Sequence, residues 1–197
     1  MNRLEGAARP HLTKMLQGKR FMMSGDEQLA VARWCVAKLM VAEHGPETDP
    51  MTPPEERRTF AATLQIPDYY RVYIGAHSCA AQIGYIRRSS TISLGPGGPI
   101  PKLDGMSRNV QQATFLVGKA FVHINAARVD GFDIEDRFSM PLVQKHMRIW
   151  PPSHDRRKWP GGAILNPDQI RVLSNSWQTI AQSKRAVWGG EIDPAWI

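Results

Sequence analysis

The chain has 197 residues, 42% of them hydrophobic and 22% charged, a balance that excludes a disordered or collagen-like polypeptide and is enough for one domain with a buried core. A net charge of +7 and a pI near 9.7 favour an acidic partner, of which nucleic acid is the commonest. Two cysteines are too few for a disulfide framework, and Arg3, Glu5 and Arg9 interrupt any apolar start that a signal peptide would need, so a reduced, cytoplasmic chain is expected.

Residues 2–17 predict a first helix with Leu4, Ala7, Ala8, Leu12, Met15 and Leu16 on its apolar side, delayed or kinked by Pro10 and stopped by Gly18. Residues 25–45, GDEQLAVARWCVAKLMVAEHG, predict the central element. Ser24 or Asp26 can cap it, and Gly45-Pro46 ends it. Arg33, Lys38 and Glu43 point in three directions, which leaves no broad polar face, so this helix should be covered on most sides. Its basic residues break the apolar run well short of a membrane span. After the proline-rich 45–54, Thr52 is placed to cap a short third helix, with Pro53-Pro54 in its first turn and Glu55 completing a capping box.

The period then changes. YYRVYIG at 69–75 and CAAQIGYIRRSSTISL at 79–94 are β-rich, and the short connection at His77-Ser78 predicts an antiparallel hairpin between them. LGPGGPIPKLDG at 94–105 is a loop with no phosphate-binding G-K-[ST]. VQQATFLVGKAFVHINAARV at 110–129 is apolar on both faces, which predicts a central strand or pair divided at Gly118. Residues 131–139 predict a short edge segment, 142–147 a helical turn or two, and 149–162 a long irregular loop. Asn166-Pro167 opens a last helix running toward Arg185, with a break near Ser174-Asn175. Five of the six tryptophans follow residue 149, so the C-terminal part should be docked. These elements make one α+β domain over 1–197: a helical part (1–66), a β-sheet part (67–139) and a part of loops and short helices (140–197).

No catalytic or metal motif is complete. His77 and Cys79 lack the further ligands of a zinc site and the third, orienting group of a catalytic array. Cys35 sits in an apolar helix, where a thiol is inert. His123 and Asn125 share a strand face and read as core residues. Asp130, Asp133, Glu135 and Asp136 lack the spacing of a calcium loop. No cofactor, metal or catalytic residue is expected.

The basic features carry the most information. Residues 69–103 hold Arg71, Arg87, Arg88 and Lys102 without one acid. Arg156, Arg157 and Lys158 follow one another between Trp150 and Trp159. Cations interleaved with aromatic rings suit single-stranded or distorted nucleic acid, through phosphate pairing and base stacking.

MNRLEGAARPHL at 1–12, ARWCVAKLMVAE at 32–43, TPPEERRTF at 52–60, YYRVYIG at 69–75 and MRIWPP at 147–152 resemble pieces of bacterial HNH-endonuclease-like proteins. In that family a Cys/His module precedes an α+β region of about this length. The resemblance implies the C-terminal α+β region without the nuclease module, because no residue here matches the nuclease signature. The expected fold is therefore α+β, with an antiparallel sheet of about four or five strands packed against N-terminal helices and short C-terminal helices following. The expected function is a non-enzymatic, nucleic-acid-associated domain of a mobile-element or defence-related gene. The alternative is a protein-binding inhibitor or adaptor of a nucleoprotein complex. A remnant or half of an HNH-type nuclease comes third.

Overall fold

The structure, a computed structural model, describes residues 3–45, 49–80, 83–91, 104–106, 108–129, 148–152, 155–162 and 164–175. The expectations for 92–103, 131–139, 142–147 and the stretch beyond Asn175 lie outside these residues.

Helix α1 (Arg3–Leu16) continues through Pro10 and buries Leu4, Ala8 and Met15. Gly18, at φ +70, turns the chain. A four-residue strand, β1 (Phe21–Ser24), then leads directly into α2 (Gly25–Ala42). Ser24, rather than Asp26, caps α2. Its hydroxyl accepts from the Glu27 amide at 3.3 Å while the Glu27 carboxylate accepts from the Ser24 amide at 2.7 Å. The helix ends at Ala42, before Gly45, with Glu43 as its C-cap. Val31, Ala32, Cys35, Val36, Leu39 and Met40 are buried along it, whereas Val41 is 70% exposed, so the covering is wide but not complete.

Helix α3 (Pro54–Thr63) starts on Pro53 with no side-chain cap, which corrects the capping role expected of Thr52. Thr52 is buried in another task. Its amide and hydroxyl donate to the two carboxylate oxygens of Glu43 at 3.0 and 2.7 Å, and its oxygen lies 2.7 Å from the Tyr70 hydroxyl. Arg57 approaches the same carboxylate at 3.5 Å, and the Gln111 side-chain amide donates to it. A buried carboxylate demands such donors, and here they join the end of α2 to the start of α3 and to the sheet.

The main sheet has five antiparallel strands: β2 (Tyr70–Ala76), β3 (Ile83–Ser90), β4 (Val110–Val117), β5 (Ala120–Ala127) and β6 (Arg148–Trp150), in the order β3-β4-β5-β2-β6. The chain is α+β, as expected, but the expected β2–β3 hairpin does not form. β2 pairs with β5 and β6, and β3 pairs with β4 at the far edge. His77, instead of turning the chain, bridges to Leu165. The divided segment at Gly118 is itself the hairpin. Gly118 is at φ +59 in the first central position of a two-residue turn, where L-residues are strained. The expected irregular loop at 149–162 contains β6 and a further strand, β7 (Arg156–Trp159), which pairs with β1 in a separate two-stranded ribbon.

One face of the sheet, with Tyr70, Val72, Ile74, Ala113, Val122 and Ile124, packs on α2 as the main core. The other face carries Tyr73 and Phe121, covered by Leu165 and by Ile170 and Leu173 of the capped helix α4 (Pro167–Ser174). Gln112 fastens that helix by donating to the Ser174 carbonyl at 2.6 Å.

Candidate functional site

The ribbon sorts its residues by strand alternation. Phe21 pairs with Trp159 and Met23 with Arg157, and these face inward. Met22 pairs with Lys158 and Ser24 with Arg156, and these four are exposed. The three consecutive cations of the sequence therefore have two fates. Arg157 is buried, its Nε donating to Gln28 Oε1 at 3.4 Å, and burial, with Arg148 nearby, lowers its pKa to about 10. Arg156 and Lys158 stand in solvent.

The tryptophans expected to stack on bases are also sorted inward. Trp159 is 1% exposed and belongs to the core. Trp150 is half-buried against the same core, and the indole N–H groups of both are buried without a hydrogen-bond partner. The Trp159 ring, buried in the core, pins the ribbon and offers no face to a base.

The other expected cations separate in the same way. Arg71, half-buried on β2, donates to the Asp68 and Tyr70 carbonyls. Neighbours on a strand point to opposite faces, and Arg87 and Arg88 do so. Arg87 donates to Gln111 Oε1 at 3.1 Å and to the Asp49 carbonyl at 2.7 Å, while Arg88 meets Asn175 Oδ1 at 3.5 Å on the other side. Lys102 lies outside the described residues. Arg87 is linked through Gln111 to Glu43 at the C-cap of α2, whereas Arg156 pairs with Ser24 at its N-cap. The 18 residues between them span about 27 Å at a helical rise of 1.5 Å. The two patches are thus at opposite ends of α2.

The structure gathers a different set at the ribbon end. The β4–β5 hairpin tip docks on the last turn of α1, with the Lys119 amide donating to the Leu16 carbonyl at 3.3 Å. A Cβ on Gly18 would lie 3.5 Å from the Lys119 Cγ. Lys19 and Arg20 follow Gly18 and lead into the ribbon, and the Lys14 ammonium lies 5.1 Å from the Phe21 ring centroid. Lys14, Lys19, Arg20, Lys119, Arg156 and Lys158 are all exposed, and none makes an ion pair among the described residues. Several other cations are paired: Arg57 with Glu43, Arg58 with Glu55, Arg108 with Asp49, and Arg128 with Glu56 and Asp104, whereas Arg3 and Arg9 on α1 and Arg87 and Arg88 on β3 have no carboxylate partner among the described residues. Asp26 and Asp155 are exposed at the Arg156 end. Lys14, Lys19, Arg20 and Lys119 were not singled out by sequence reasoning. One signal was available, since residues 6–25 hold Arg9, Lys14, Lys19 and Arg20 and no acid.

His77, His123 and Cys35 are buried. His77 is buried, its Nδ1 accepting from the Cys79 amide at 3.1 Å, and burial followed by Lys119 lowers its pKa. His123 is buried with Nδ1 2.8 Å from the Thr114 hydroxyl, and burial lowers its pKa to about 3 despite Asn125 beside it. Its other ring nitrogen has no hydrogen-bond partner, so it is a core histidine only half satisfied. Burial raises the Cys35 thiol far above its usual range. No group of three potential metal ligands occurs among the described residues, and no described helix is long and apolar enough to cross a membrane.

No protein-family model, curated protein or solved structure gives a significant match to this chain.

Proposed function

We propose that this chain is a nucleic-acid-associated domain that docks through the end built from Lys14, Lys19, Arg20, Lys119, Arg156 and Lys158. The observation that carries the reading is their gathering at one end: these six cations are exposed and have no carboxylate partner among the described residues, whereas Arg57, Arg58, Arg108 and Arg128 are paired. Cations without carboxylate partners among the described residues, held on three chain segments (14–20, 119 and 156–158), match a polyanion, whose condensed counterions they release on binding. The inward turn of Trp159 argues for contact with the phosphate backbone over stacking on bases.

Gel retardation of duplex DNA and RNA at about 50 and about 200 mM salt tests this. Retardation that weakens steeply with salt supports the reading. Replacing Arg156 and Lys158 together by Ala should make the logarithmic salt slope shallower by about 2, near one unit per lost phosphate contact. No retardation at the lower salt would remove it.

A further inference from the structure

We infer that the outer edge of β3 is a docking site for an extended acidic segment of a partner protein, added as a sixth, antiparallel strand. The inference is independent of the nucleic-acid reading and concerns the opposite end of α2. β3 is the terminal strand of the sheet, and among the described residues no strand pairs its outer side. Edge strands of soluble proteins are usually short or blunted by charge, proline or bulges. This one is eight residues long, has no proline and pairs with β4 without a shift in register, and its only charges are Arg87 and Arg88. It exposes apolar side chains on both faces, with Ile83 83%, Tyr85 45% and Ile86 41% exposed. Tyr85 is held in place by Phe115, ring centroids 4.8 Å apart.

Charge selects the occupant. Arg87 and Arg88 follow the apolar half, and their hydrogen-bond partners are neutral: the Gln111 and Asn175 amide oxygens and the Asp49 carbonyl. Among the described residues both guanidinium charges therefore remain uncompensated by a carboxylate. They lie on opposite faces of the strand, so one phosphate backbone does not engage both. Two consecutive acids on an added strand do, because directly opposed residues share a face and bring their Cβ atoms within about 5.5 Å. A second copy of this chain would bring only the same two arginines to the edge and add its own charge of +7. The matching segment has two adjacent carboxylates opposite Arg88 and Arg87, then apolar residues opposite Ile86, Tyr85 and Ile83. Main-chain bonds would give the affinity, and the acid-then-apolar order the specificity.

The test uses the full chain and a labelled peptide, Ac-TEEVIAV-NH2, whose order places its glutamates opposite Arg88 and Arg87 in an antiparallel strand. The expected result is saturable binding by fluorescence anisotropy, with slowed amide exchange in β3. Binding should weaken about tenfold or more with Ac-TKKVIAV-NH2, since two attractive cross-strand pairs become repulsive. It should be lost with Ac-TEEPIAV-NH2, where proline interrupts the strand. Ile83→Lys with Ile86→Lys, both at exposed positions, should abolish it while leaving the urea midpoint in place. Absence of binding at millimolar peptide, equal binding of the lysine peptide, or unchanged β3 exchange overturns the inference. So does a sedimenting dimer that Ile86→Lys dissociates, which would make the occupant a second copy.

Discussion

The carboxylate of Glu43 accepts from the side-chain amide of Gln111, which ties the C-cap of the central helix to the fourth strand inside the core. The same carboxylate takes the amide and hydroxyl of Thr52, and Arg57 stands 3.5 Å away. Three parts of the fold therefore depend on one buried anion. Glu43→Ala should destabilise by about 3–5 kcal/mol, because it removes the acceptor of the buried Thr52 and Gln111 donors and the carboxylate beside Arg57, which keeps only the Thr52 carbonyl at 2.6 Å. Gln111→Ala removes one donor and should cost about 1–3 kcal/mol. Urea midpoints that barely move in Glu43→Ala would show that the cluster is dispensable.

Helix α2 supplies an internal comparison. Leu39 is fully buried against the sheet side and Val41, two residues on, is mostly exposed. Leu39→Ala should cost about 2–5 kcal/mol through lost burial and a residual cavity. Val41→Ala should stay within about 0.5 kcal/mol. Chemical denaturation of the two variants checks the facing of the helix directly.

The central helix was legible because its cap and its apolar run are local signals, although it ends at Ala42, short of the Gly45-Pro46 stop. The β4–β5 pair was legible because Gly118 is the only glycine within a long apolar β stretch. What the sequence concealed is non-local. β1 and β7 are four-residue strands whose identity depends on each other, across more than a hundred residues. The turn at His77-Ser78 looks like a hairpin until β5 takes the place beside β2, a choice fixed by pairing and not by the connection. Arg156, Arg157 and Lys158 read as one patch, yet strand alternation buries the middle one. The basic end escaped notice because Lys119 reaches it only through the docking of a hairpin tip on α1.

That docking leads to a third prediction. Gly118 has φ +59, and a Cβ there would lie 2.7 Å from the Leu16 carbonyl oxygen, which is backbone and cannot easily yield. Gly118→Ala combines left-handed strain with a steric clash and should cost about 1–3 kcal/mol. It should also move Lys119 relative to Lys19 and Arg20. Thermal unfolding measures the first effect, and retardation of DNA at low salt the second.

His123 gives stability a pH dependence of defined sign. Burial holds its pKa at about 3 in the fold against 6.5 in the unfolded chain. The unfolded state therefore binds the extra proton as pH falls below 6.5, and the fold does not follow until near 3. The contribution is fully present above pH 6.5 and is lost toward acid, at up to about 1.4 kcal/mol per pH unit. His123→Gln should flatten the decline measured between pH 7.5 and 5.5 relative to wild type, at some cost in absolute stability from the Thr114 contact. Parallel wild-type and variant curves over that window would place the titration elsewhere.

The basic end separates two roles that the sequence placed together on one loop. Trp159 is a core residue, so Trp159→Ala should cost about 3–5 kcal/mol, while Trp159→Phe keeps a ring in the site and should cost less. Because neither side chain presents a face to solvent, folded Trp159→Phe protein should bind DNA within about twofold of wild type, a difference of under half a kcal/mol. Lys19→Ala with Arg20→Ala, or Lys119→Ala alone, should do the reverse, leaving the urea midpoint in place and weakening binding at low salt. Each lost phosphate contact should reduce the salt slope by about one unit. Selective loss of single-stranded binding in Trp159→Phe, with the lysine and arginine variants silent, would return recognition to base stacking and move the interface off these cations.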